Sequence, residues 1–426
     1  MRPRPGCSTW GSPPNPFLPI DYRGGRSRSG RPRRPGSAPR RGRAMTFVPT
    51  PGRAWAEIDL NAVARNLAGF RQRVGPGVKV YAVVKADAYG HGAVPVAGTL
   101  ASAGVDGLAV ADAREGAELR KAGIEIPILI LGKLTPEEYE PAVEHDLAVT
   151  IDDEAGVDRL SKAVRANPGD KPAPRRARVH LKADTGMGRL GAPPETVPAI
   201  AERVRNLPEL ELEGLYTHFS SAGSMNKTAM QEQLVAFRHL LDRLAKSGIK
   251  PPLIHAANSA AALAFPDSRF TLVRPGLALY GMDPGCCTRI GWRPEPALAL
   301  RARVLHVKDV AREKTIGYER RWMATTDTRV ATIPIGYADG YPLALTNTGT
   351  AIVRGHRVPV VGSVTMDYVM LDVGAVPEVR EGDVVTFIGR DGGEEVRAED
   401  VAAKAGSIPY EIVCRIGRRR VDRLYR

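Results

Sequence analysis

Short apolar runs alternate with longer helix-type segments from about residue 78 to residue 285. The segments between the runs are rich in Ala, Glu and Leu. Eight β–α alternations over roughly 200 residues are what a (β/α)8 TIM-like barrel needs, so we predict an α/β fold of that kind. A doubly wound open sheet is the main alternative, but no Gly-x-Gly-x-x-Gly fingerprint follows the first run. The eight runs are Val78–Val84, Gly107–Ala111, Ile126–Leu131, Leu147–Ile151, Arg178–Leu181, Leu212–Thr217, Pro252–His255 and Leu272–Tyr280.

Beyond a proline-rich join at Trp292–Pro296 the pattern changes to β-branched strands separated by turns, and helical periodicity becomes scarce. This pattern predicts a smaller, mainly antiparallel β domain over residues 294–426, after a barrel over residues 53–293. The predicted strands are Leu300–Val307, Arg329–Ile335, Thr350–Val353, Val358–Val361, Tyr368–Val373 and Asp383–Ile388.

The net charge of +14 is concentrated in residues 1–44, which hold eleven arginines, nine prolines and one acid, leaving +4 for the rest. Such a segment buries too little apolar surface to fold, so we predict a disordered basic extension. Met45 stands just before the first foldable segment, and an upstream start of translation would explain the extension. An arm that binds RNA or a membrane surface is the alternative. The net charge of only +4 on residues 45–426 argues against nucleic acid as a partner.

The chain shows no secretory signal, because its paired arginines precede no apolar run, and no stretch approaches 18 apolar residues. Its four cysteines are Cys7, Cys286, Cys287 and Cys414, and no metal-ligand spacing occurs among them. We therefore expect a cytoplasmic protein without a metal and without membrane contact.

Polar residues mark the carboxyl ends of five predicted barrel strands, which is where catalytic groups of such barrels lie. Each one alone is more often structural than functional, but five marked ends together predict an active site. They are Lys85 after the first strand, Lys182, Asp184 and Arg189 after the fifth, Thr217 and His218 after the sixth, His255, Asn258 and Ser259 after the seventh, and Arg274 in the eighth.

Lys85 at a strand end can form a Schiff base with an aldehyde, because a desolvated lysine has a lowered pKa. The alternative is a lysine whose stem is buried and whose ammonium reaches solvent. Ser259 opens an Ala-rich helix, and Gly276 allows a backbone N–H to approach closely, so the two favour a phosphate site. A Schiff-base lysine with a phosphate site indicates pyridoxal 5′-phosphate, with Arg274 at the pyridine nitrogen.

Seven motifs then resemble the bacterial alanine racemases, in the family's order and over residues 53–426. They are Val-Lys-Ala-Asp-Ala-Tyr-Gly-His-Gly, Lys-Ala-Asp-Thr-Gly-Met-Gly-Arg-Leu-Gly, Ala-Asn-Ser-Ala-Ala, Val-Arg-Pro-Gly, Ile-Gly-Tyr-Ala-Asp-Gly, Thr-Met-Asp and Ile-Pro-Tyr-Glu. The resemblance implies a homodimer that interconverts L- and D-alanine by a two-base mechanism on pyridoxal phosphate and supplies D-alanine for peptidoglycan.

The resemblance also implies roles for single residues. Lys85 would hold the cofactor and act as one base, and Tyr318 of the partner's β domain would be the other. A tyrosine with an ordinary pKa near 10 needs nearby positive charge to act as a base, and a chain from Tyr318 through His218 to Arg274 would supply it. The remaining matches are Tyr89, Asn258, Ser259, Gly276 and Tyr410 for the cofactor, Arg189, Met366, Asp367 and Tyr337 for the substrate and its corridor, and Lys182 as a carbamylated lysine.

Three residues depart from the family pattern. Glu319 follows the catalytic tyrosine where glycine is commoner, and Leu343 and Ser363 replace arginines at the mouth of the substrate corridor. The first departure concerns loop shape, whereas the other two remove positive charge and weaken the case for strict alanine preference. The alternatives are a racemase of broader specificity, a non-catalytic pyridoxal-phosphate carrier and a decarboxylase. Residues 297–426 argue against the carrier, and Arg274 argues against the decarboxylase.

Overall fold

The structure, a computed structural model, describes residues 52–167, 176–224, 226–417 and 420–426. The predicted basic extension over residues 1–44 lies outside these ranges. Within them, no helix combines the length and the apolar run that crossing a bilayer would require.

Twenty strands are formed by the described residues, and most are short. They are β1 Ala54–Ile58, β2 Lys79–Val83, β3 Gly107–Val110, β4 Ile128–Ile130, β5 Ala148–Ile151, β6 Ala177–Lys182, β7 Leu210–Tyr216, β8 Leu253–Asn258, β9 Leu272–Arg274, β10 Leu298–Arg303, β11 His306–Val310, β12 Thr315–Ile316, β13 Trp322–Met323, β14 Thr328–Ile333, β15 Thr350–Val353, β16 His356–Pro359, β17 Val369–Asp372, β18 Val384–Asp391, β19 Glu394–Val396 and β20 Val421–Tyr425.

Eleven α-helices accompany them in the same part of the chain, besides seven short 3-10 turns. They are α1 Leu60–Val74, α2 Lys85–Tyr89, α3 Ala93–Ser102, α4 Ala113–Lys121, α5 Tyr139–Glu144, α6 Glu154–Ala166, α7 Val197–Arg205, α8 Thr228–Lys246, α9 Ser259–Ala264, α10 Ala398–Ala405 and α11 Pro409–Arg415.

The predicted barrel is confirmed, because β2 to β9 form a closed parallel barrel in chain order. Each strand overlaps one of the eight predicted runs. The last run, Leu272–Tyr280, ends early as a strand at Arg274, since the following Pro275 has no N–H to donate. Helices cover the barrel with amphipathic faces. In α1, the Asp59 carboxylate accepts the Ala62 N–H at 2.8 Å, and the apolar side has the spacing of one helix face. The buried residues of that side are Val63, Leu67, Phe70 and Val74.

The predicted β domain is also confirmed as mainly antiparallel, in a seven-stranded sheet whose main path runs β16-β15-β18-β10-β1-β20 and in a three-stranded sheet β11-β14-β17. The predicted strand Leu300–Val307 is wrong as one element, because it divides into β10 and β11, which lie in different sheets.

The barrel was predicted to begin at residue 53, but β1 lies in the sheet of the β domain. It pairs antiparallel with β10 and parallel with β20, and this pairing hydrogen-bonds both edges of β1. Neither β1 nor β20 was predicted. The two ends of the described chain thus pair in one sheet. An ion pair between Arg423 of β20 and Asp87 of α2 places this sheet next to the carboxyl end of the barrel strand β2.

Candidate active site

Lys85 stands directly after β2 and opens α2, which is a left-handed turn. The four residues that follow Lys85 all have φ between 51° and 55°, a conformation that costs roughly 1–2 kcal/mol for each residue with a side chain. Side chains from elsewhere hold the turn: Glu115 accepts the Ala86 N–H at 2.7 Å, and Arg423 pairs with Asp87 at 2.5 Å. Such strain persists where surrounding structure enforces it, which is typical of functional sites.

The environment of Lys85 favours its neutral, nucleophilic form. Burial lowers the pKa of Lys85, and the positive charge of Arg189 lowers it further, against the opposing effect of Glu115. A lowered pKa increases the fraction of neutral amine, and the neutral amine is the form that attacks an aldehyde. The structure therefore favours the Schiff-base interpretation of this residue over a lysine that extends into water.

Four of the predicted cofactor-binding residues converge at one corner. The Ser259 hydroxyl accepts the Gly276 N–H at 3.0 Å, and the rings of Tyr89 and Tyr410 lie 5.6 Å apart. A Cβ at residue 276 would stand 2.6 Å from the Tyr89 hydroxyl oxygen. Glycine is therefore required for the backbone at residue 276 to approach Tyr89 so closely. The phenol groups of Tyr89 and Tyr410, the Ser259 hydroxyl and the Gly276 backbone together form what we call the cradle.

Asn258 prepares this corner by capping α9. Its side chain accepts the Ala261 N–H at 3.1 Å, so the helix begins directly at Ser259, which is buried. The hydroxyls and amides of this cradle are hydrogen-bond donors suited to a phosphate.

Arg274, at the end of β9, is buried and strongly hydrogen-bonded. It donates to His255 Nδ1 at 2.6 Å, to the Thr217 carbonyl at 2.9 Å and to the Ala256 carbonyl at 3.1 Å. It also donates to His218 Nδ1 at 3.3 Å. Burial lowers the pKa of Arg274 to about 10, which still leaves the guanidinium charged at pH 7. A fixed cation here would keep a facing pyridine nitrogen unprotonated.

His218 is held neutral by its surroundings. Burial and then the charge of Arg274 lower the pKa of His218 to about 3. Since Arg274 can only donate, Nδ1 of His218 accepts and the proton of the neutral ring lies on Nε2. His218 therefore presents an N–H donor from the cavity wall.

A buried hydrogen-bond chain continues behind Arg274 through residues that sequence reasoning gave no role. His255 Nε2 lies 2.8 Å from His180 Nδ1, and His180 Nε2 lies 2.9 Å from the Glu213 carboxylate. Because Arg274 must donate to His255 Nδ1, the proton of the His255 ring lies on Nε2 and is donated to His180 Nδ1. His180 in turn donates from Nε2 to the Glu213 carboxylate. These residues point inward from β6, β7 and β8. His255 was noted only as a strand-end marker, and no spacing signal singles out His180 or Glu213.

Lys182 and Arg189 bring further positive charge to the cavity. Lys182 is buried at the end of β6, where burial and the charges of Arg274 and Arg189 lower its pKa to about 8. The loop that carries Arg189 is shaped by Asp184, whose carboxylate accepts the N–H groups of Met187 and Gly188 at 2.8 Å and 2.9 Å. The motif Lys-Ala-Asp-Thr-Gly-Met-Gly-Arg is thus one folded unit.

These groups line one cavity of about 640 Å³ at the carboxyl ends of the barrel strands. Ile408 and Cys414 also line it and were not predicted. Lysines and arginines dominate its charged groups, so the cavity attracts anions. The predicted residues that it brings together are Lys85, Tyr89, Lys182, Arg189, His218, Asn258, Ser259, Arg274, Gly276 and Tyr410.

The other predicted residues form a separate surface on the β domain, which we call the tyrosine face. Tyr318, Met366 and Asp367 line one open depression of about 570 Å³. Tyr318 is 73% exposed and Met366 is 49% exposed. Within the described part of the chain, the walls of this depression and of the barrel cavity have no residue in common.

Backbone and ionic contacts fix the loop of Met366 in place. Tyr337, predicted to line the corridor, donates its N–H to the Thr365 carbonyl at 3.0 Å. Arg420 was not predicted, and it pairs with both Asp367 and the buried Asp339 at 2.9 Å. The segment of the half-exposed Tyr337 is therefore hydrogen-bonded to the Met366 loop, and Met366 lines the same depression as Tyr318.

Of the three departures from the family pattern, Glu319 and Ser363 adjoin Tyr318. Glu319 has φ of 58°, which explains why glycine is favoured after the tyrosine. Ser363 is buried and donates its hydroxyl to the Tyr318 carbonyl at 3.3 Å, so it supports the tyrosine loop. Leu343 is 57% exposed.

Fold and site together define a pyridoxal-phosphate enzyme made of a parallel barrel and a β domain. The barrel cavity fits that cofactor by its chemistry, since it offers a desolvated lysine, a cradle of hydroxyls that only glycine permits, and a buried arginine.

Comparisons with known proteins identify the family. The family model "Alanine racemase, N-terminal domain" matches residues 58–284, and "Alanine racemase, C-terminal domain" matches residues 297–425. An alanine racemase of Halothermothrix orenii is 41% identical over 373 residues, covering 87% of this chain and 96% of the relative. One of Desulforamulus reducens is 43% identical, covering 87% of this chain and 98% of the relative.

Solved structures agree. An alanine racemase from D-cycloserine-producing Streptomyces lavendulae superposes with a TM-score of 0.82 at 37% identity, covering 89% of this chain and 98% of its own. That of Bacillus anthracis with bound L-Ala-P gives 0.81 at 37% identity, with 89% and 96% covered. The chain belongs to the alanine racemase family, and its activity is that of a pyridoxal-phosphate-dependent isomerase.

Proposed function

We propose that the protein interconverts L- and D-alanine as a homodimer with shared active sites. Lys85 of one protomer and Tyr318 of its partner act on opposite faces of the α-carbon. The observation that carries this proposal is the separation of the predicted site into two parts. The barrel cavity contains the predicted cofactor-binding residues, whereas Tyr318 lies on a different, exposed face. A second copy placed face to cavity would unite them.

The cofactor, when bound, withdraws electrons from the bond between the α-carbon and its hydrogen. Lys85 Nζ would hold the cofactor and would also remove or return the proton on its own face of the substrate. Arg274 would face the pyridine nitrogen with a fixed positive charge and would keep that nitrogen unprotonated. This would weaken electron withdrawal into the ring and favour return of the proton to carbon over amino-group transfer.

Tyr318 supplies the second base, and His218 prepares it. The hydrogen bond from Arg274 leaves the proton of the neutral His218 ring on Nε2. That N–H can donate to the phenolic oxygen of the partner's tyrosine and stabilise its deprotonated form. Proton removal by one base and return by the other inverts the configuration.

The substrate carboxylate is held by Arg189 and by the backbone of Met366 from the partner. Lys182, buried beside Arg189 and Arg274, is carbamylated in this proposal. Carbamylation replaces a cation by an anion, so it converts the repulsion of Lys182 by each of the two arginines into attraction.

The activity is tested by incubating the purified holoenzyme with L-alanine in D2O. Both enantiomers are expected to accumulate with deuterium at the α-carbon, without net amino-group transfer. If alanine gives no exchange while another amino acid does, alanine is the wrong substrate. If no amino acid exchanges its α-hydrogen, the racemase proposal fails.

The shared site is tested by co-expressing two inactive variants, Lys85→Ala and Tyr318→Phe, with different affinity tags. A heterodimer of the two contains one site with both bases intact. The doubly tagged species is therefore expected to recover about half of the wild-type activity, whereas each variant alone stays inactive. Failure of the heterodimer to recover activity would show that both bases come from one chain.

A racemase of broader specificity is the second candidate. The exposed Leu343 and the buried Ser363 favour it, because neither places a charge at the corridor mouth where arginine would select small substrates. Relative rates on alanine, serine, lysine and arginine distinguish the two. We further propose a cytoplasmic enzyme that supplies D-alanine for peptidoglycan, and the free thiols of Cys286 and Cys287 support that location.

A further inference from the structure

A group of two thiols and one carboxylate lies outside the barrel cavity, in the segment that leads to the β domain. One ligand atom each from Asp283, Cys286 and Cys287 lies within 4.8 Å of the other two. Sulfur atoms bound to one tetrahedral zinc ion at 2.3 Å stand about 3.8 Å apart. An adjustment of about 1 Å would therefore bring all three groups onto a single ion.

The backbone of this segment holds the three groups together. Asp283 Oδ1 accepts the N–H groups of Gly285 at 2.8 Å and of Cys286 and Cys287 at 2.9 Å each. The turn requires φ of 89° at Gly285, which glycine adopts without strain. The carboxylate and the two thiols are thus arranged before any ligand arrives.

The thiols are buried, at 4% and 1% exposure. Cys286 Sγ lies 3.9 Å from the carbonyl of Ala260, in the first turn of α9. A pair of thiolates at such a place is costly unless a cation compensates the charge. A cleft of about 590 Å³ reaches the group and is lined by Asp283, Cys287 and Glu399, which gives an ion a path of entry.

We propose that Asp283, Cys286 and Cys287 bind one thiophilic divalent cation, Zn²⁺ or Cd²⁺, at a site separate from the barrel cavity. On binding, each sulfur–hydrogen bond breaks, two protons pass to solvent and two metal–sulfur bonds form. Three protein ligands leave the fourth position to water.

The test uses a holoenzyme with Cys7→Ser and Cys414→Ser, because Cys286 and Cys287 are then the only thiols in the chain. After reduction and removal of the reductant, the protein is titrated with CdCl2 and with ZnCl2, and MgCl2 serves as the negative control. We expect one Cd²⁺ per chain by equilibrium dialysis, a sulfur-to-cadmium charge-transfer band in the ultraviolet and a higher unfolding temperature. Mg²⁺ should produce none of these.

Matched variants in this background assign the ligands. Cys286→Ser and Cys287→Ser are each expected to lower the affinity for Cd²⁺ at least about 100-fold. Asp283→Asn keeps an oxygen that accepts the three N–H groups and should lower it about 10-fold. Unchanged affinity in either serine variant would overturn the proposal, as would oxidation of the pair to a disulfide that reductant does not reverse.

One measurement needs no change at the site itself. X-ray absorption of the Zn²⁺-loaded protein should show two sulfur neighbours near 2.3 Å and oxygen or nitrogen neighbours near 2.0 Å. A first shell without sulfur would overturn the proposal even if both serine variants failed to fold. This outcome is separate from the racemase activity, which does not use these residues.

Discussion

The barrel cavity and the tyrosine face differ most in how their functional side chains are held. Arg274 in the cavity is 3% exposed and donates four hydrogen bonds, whereas Tyr318 on the face is 73% exposed. One chain therefore builds a complete cradle for the cofactor. Tyr318, the proposed second base, has a well-supported backbone, but its side chain is left largely exposed.

The two regions also contain backbone strain of different kinds. The left-handed turn after Lys85 is enforced by Arg423, which pairs with Asp87, and by the Glu115 carboxylate, which accepts the Ala86 N–H. The strained Glu319 lies on the surface, where its own carboxylate pairs with the nearby Arg321. Strain in the cavity orients the lysine, whereas strain at Glu319 follows from the residue type at that position.

The largest expected effect is that of Lys85→Ala, which removes the cofactor attachment and one base together. We expect kcat to fall by more than about 10⁴-fold and the absorption of the lysine-bound cofactor to disappear. Lys79→Ala, at the exposed start of the same strand, is the control and should retain both. Substantial activity in the Lys85 variant would contradict its role.

Tyr318→Phe separates the two regions. The cofactor should bind as in the wild type, because the barrel cavity is intact, while kcat falls about 10²- to 10⁴-fold in both directions. Tyr139→Phe, in the shell of the barrel, removes a hydroxyl elsewhere and should change neither property. Cofactor titration by absorbance and initial rates from each enantiomer give the two readouts. If cofactor affinity fell with the rate, the separation would be wrong.

The contrast also explains what the sequence could predict. The barrel strands were predicted from apolar runs, and their polar ends from single residues such as Lys85 and Arg274, because both signals are local in the chain. The strand β1 was missed, since its partners β10 and β20 lie far away in sequence. The split of Leu300–Val307 was missed for a similar reason: its two halves pair in different sheets.

The site follows the same rule. Residues within motifs were found, including Tyr318 and Met366, but only the resemblance to a family linked them to the cavity. His180 and Glu213 were missed because a polar residue that points into a barrel leaves no periodic signal. Arg420 was missed because its two carboxylate partners become visible only in three dimensions.

Lys182 offers a test by pH. Because its pKa is lowered to about 8, the neutral amine that reacts with CO2 becomes the major form above pH 8, not above 10.5. Roughly one molecule in ten is neutral at pH 7, which an ordinary lysine does not approach. Carbamylation, followed by ¹³C NMR with labelled bicarbonate, should increase from pH 6 to pH 9.

The matched variant for this experiment is Lys182→Arg, which keeps the charge but does not react. The carbamate signal should vanish, and KM should rise about 10-fold, as expected when one charge-assisted hydrogen bond to Arg189 is lost. A signal that persists in the variant would assign the carbamate to another lysine.

Glu213→Gln weakens the end of the buried chain behind Arg274. Burial raises the pKa of Glu213, but the hydrogen bond and charge of His180 outweigh it and lower the pKa below its usual value. A lowered folded-state pKa gives stability above pH 4.5 that is lost as pH falls. The variant should lose about 1–2 kcal/mol at pH 7 by urea unfolding, and its difference from wild type should shrink below pH 4.5.

The smallest expected effect concerns Glu319, where a substitution on the tyrosine face can stabilise the protein without changing any residue of the barrel cavity. Glu319→Gly relieves a side chain at φ of 58° and should raise the free energy of unfolding by about 0.5–1 kcal/mol. Loss of its exposed pair with Arg321 has little cost. Glu319→Ala is the matched control: it also removes the carboxylate but keeps the Cβ, so it should give no such gain. Equal stabilisation by both changes would assign the effect to charge and would leave the strain at Glu319 without consequence.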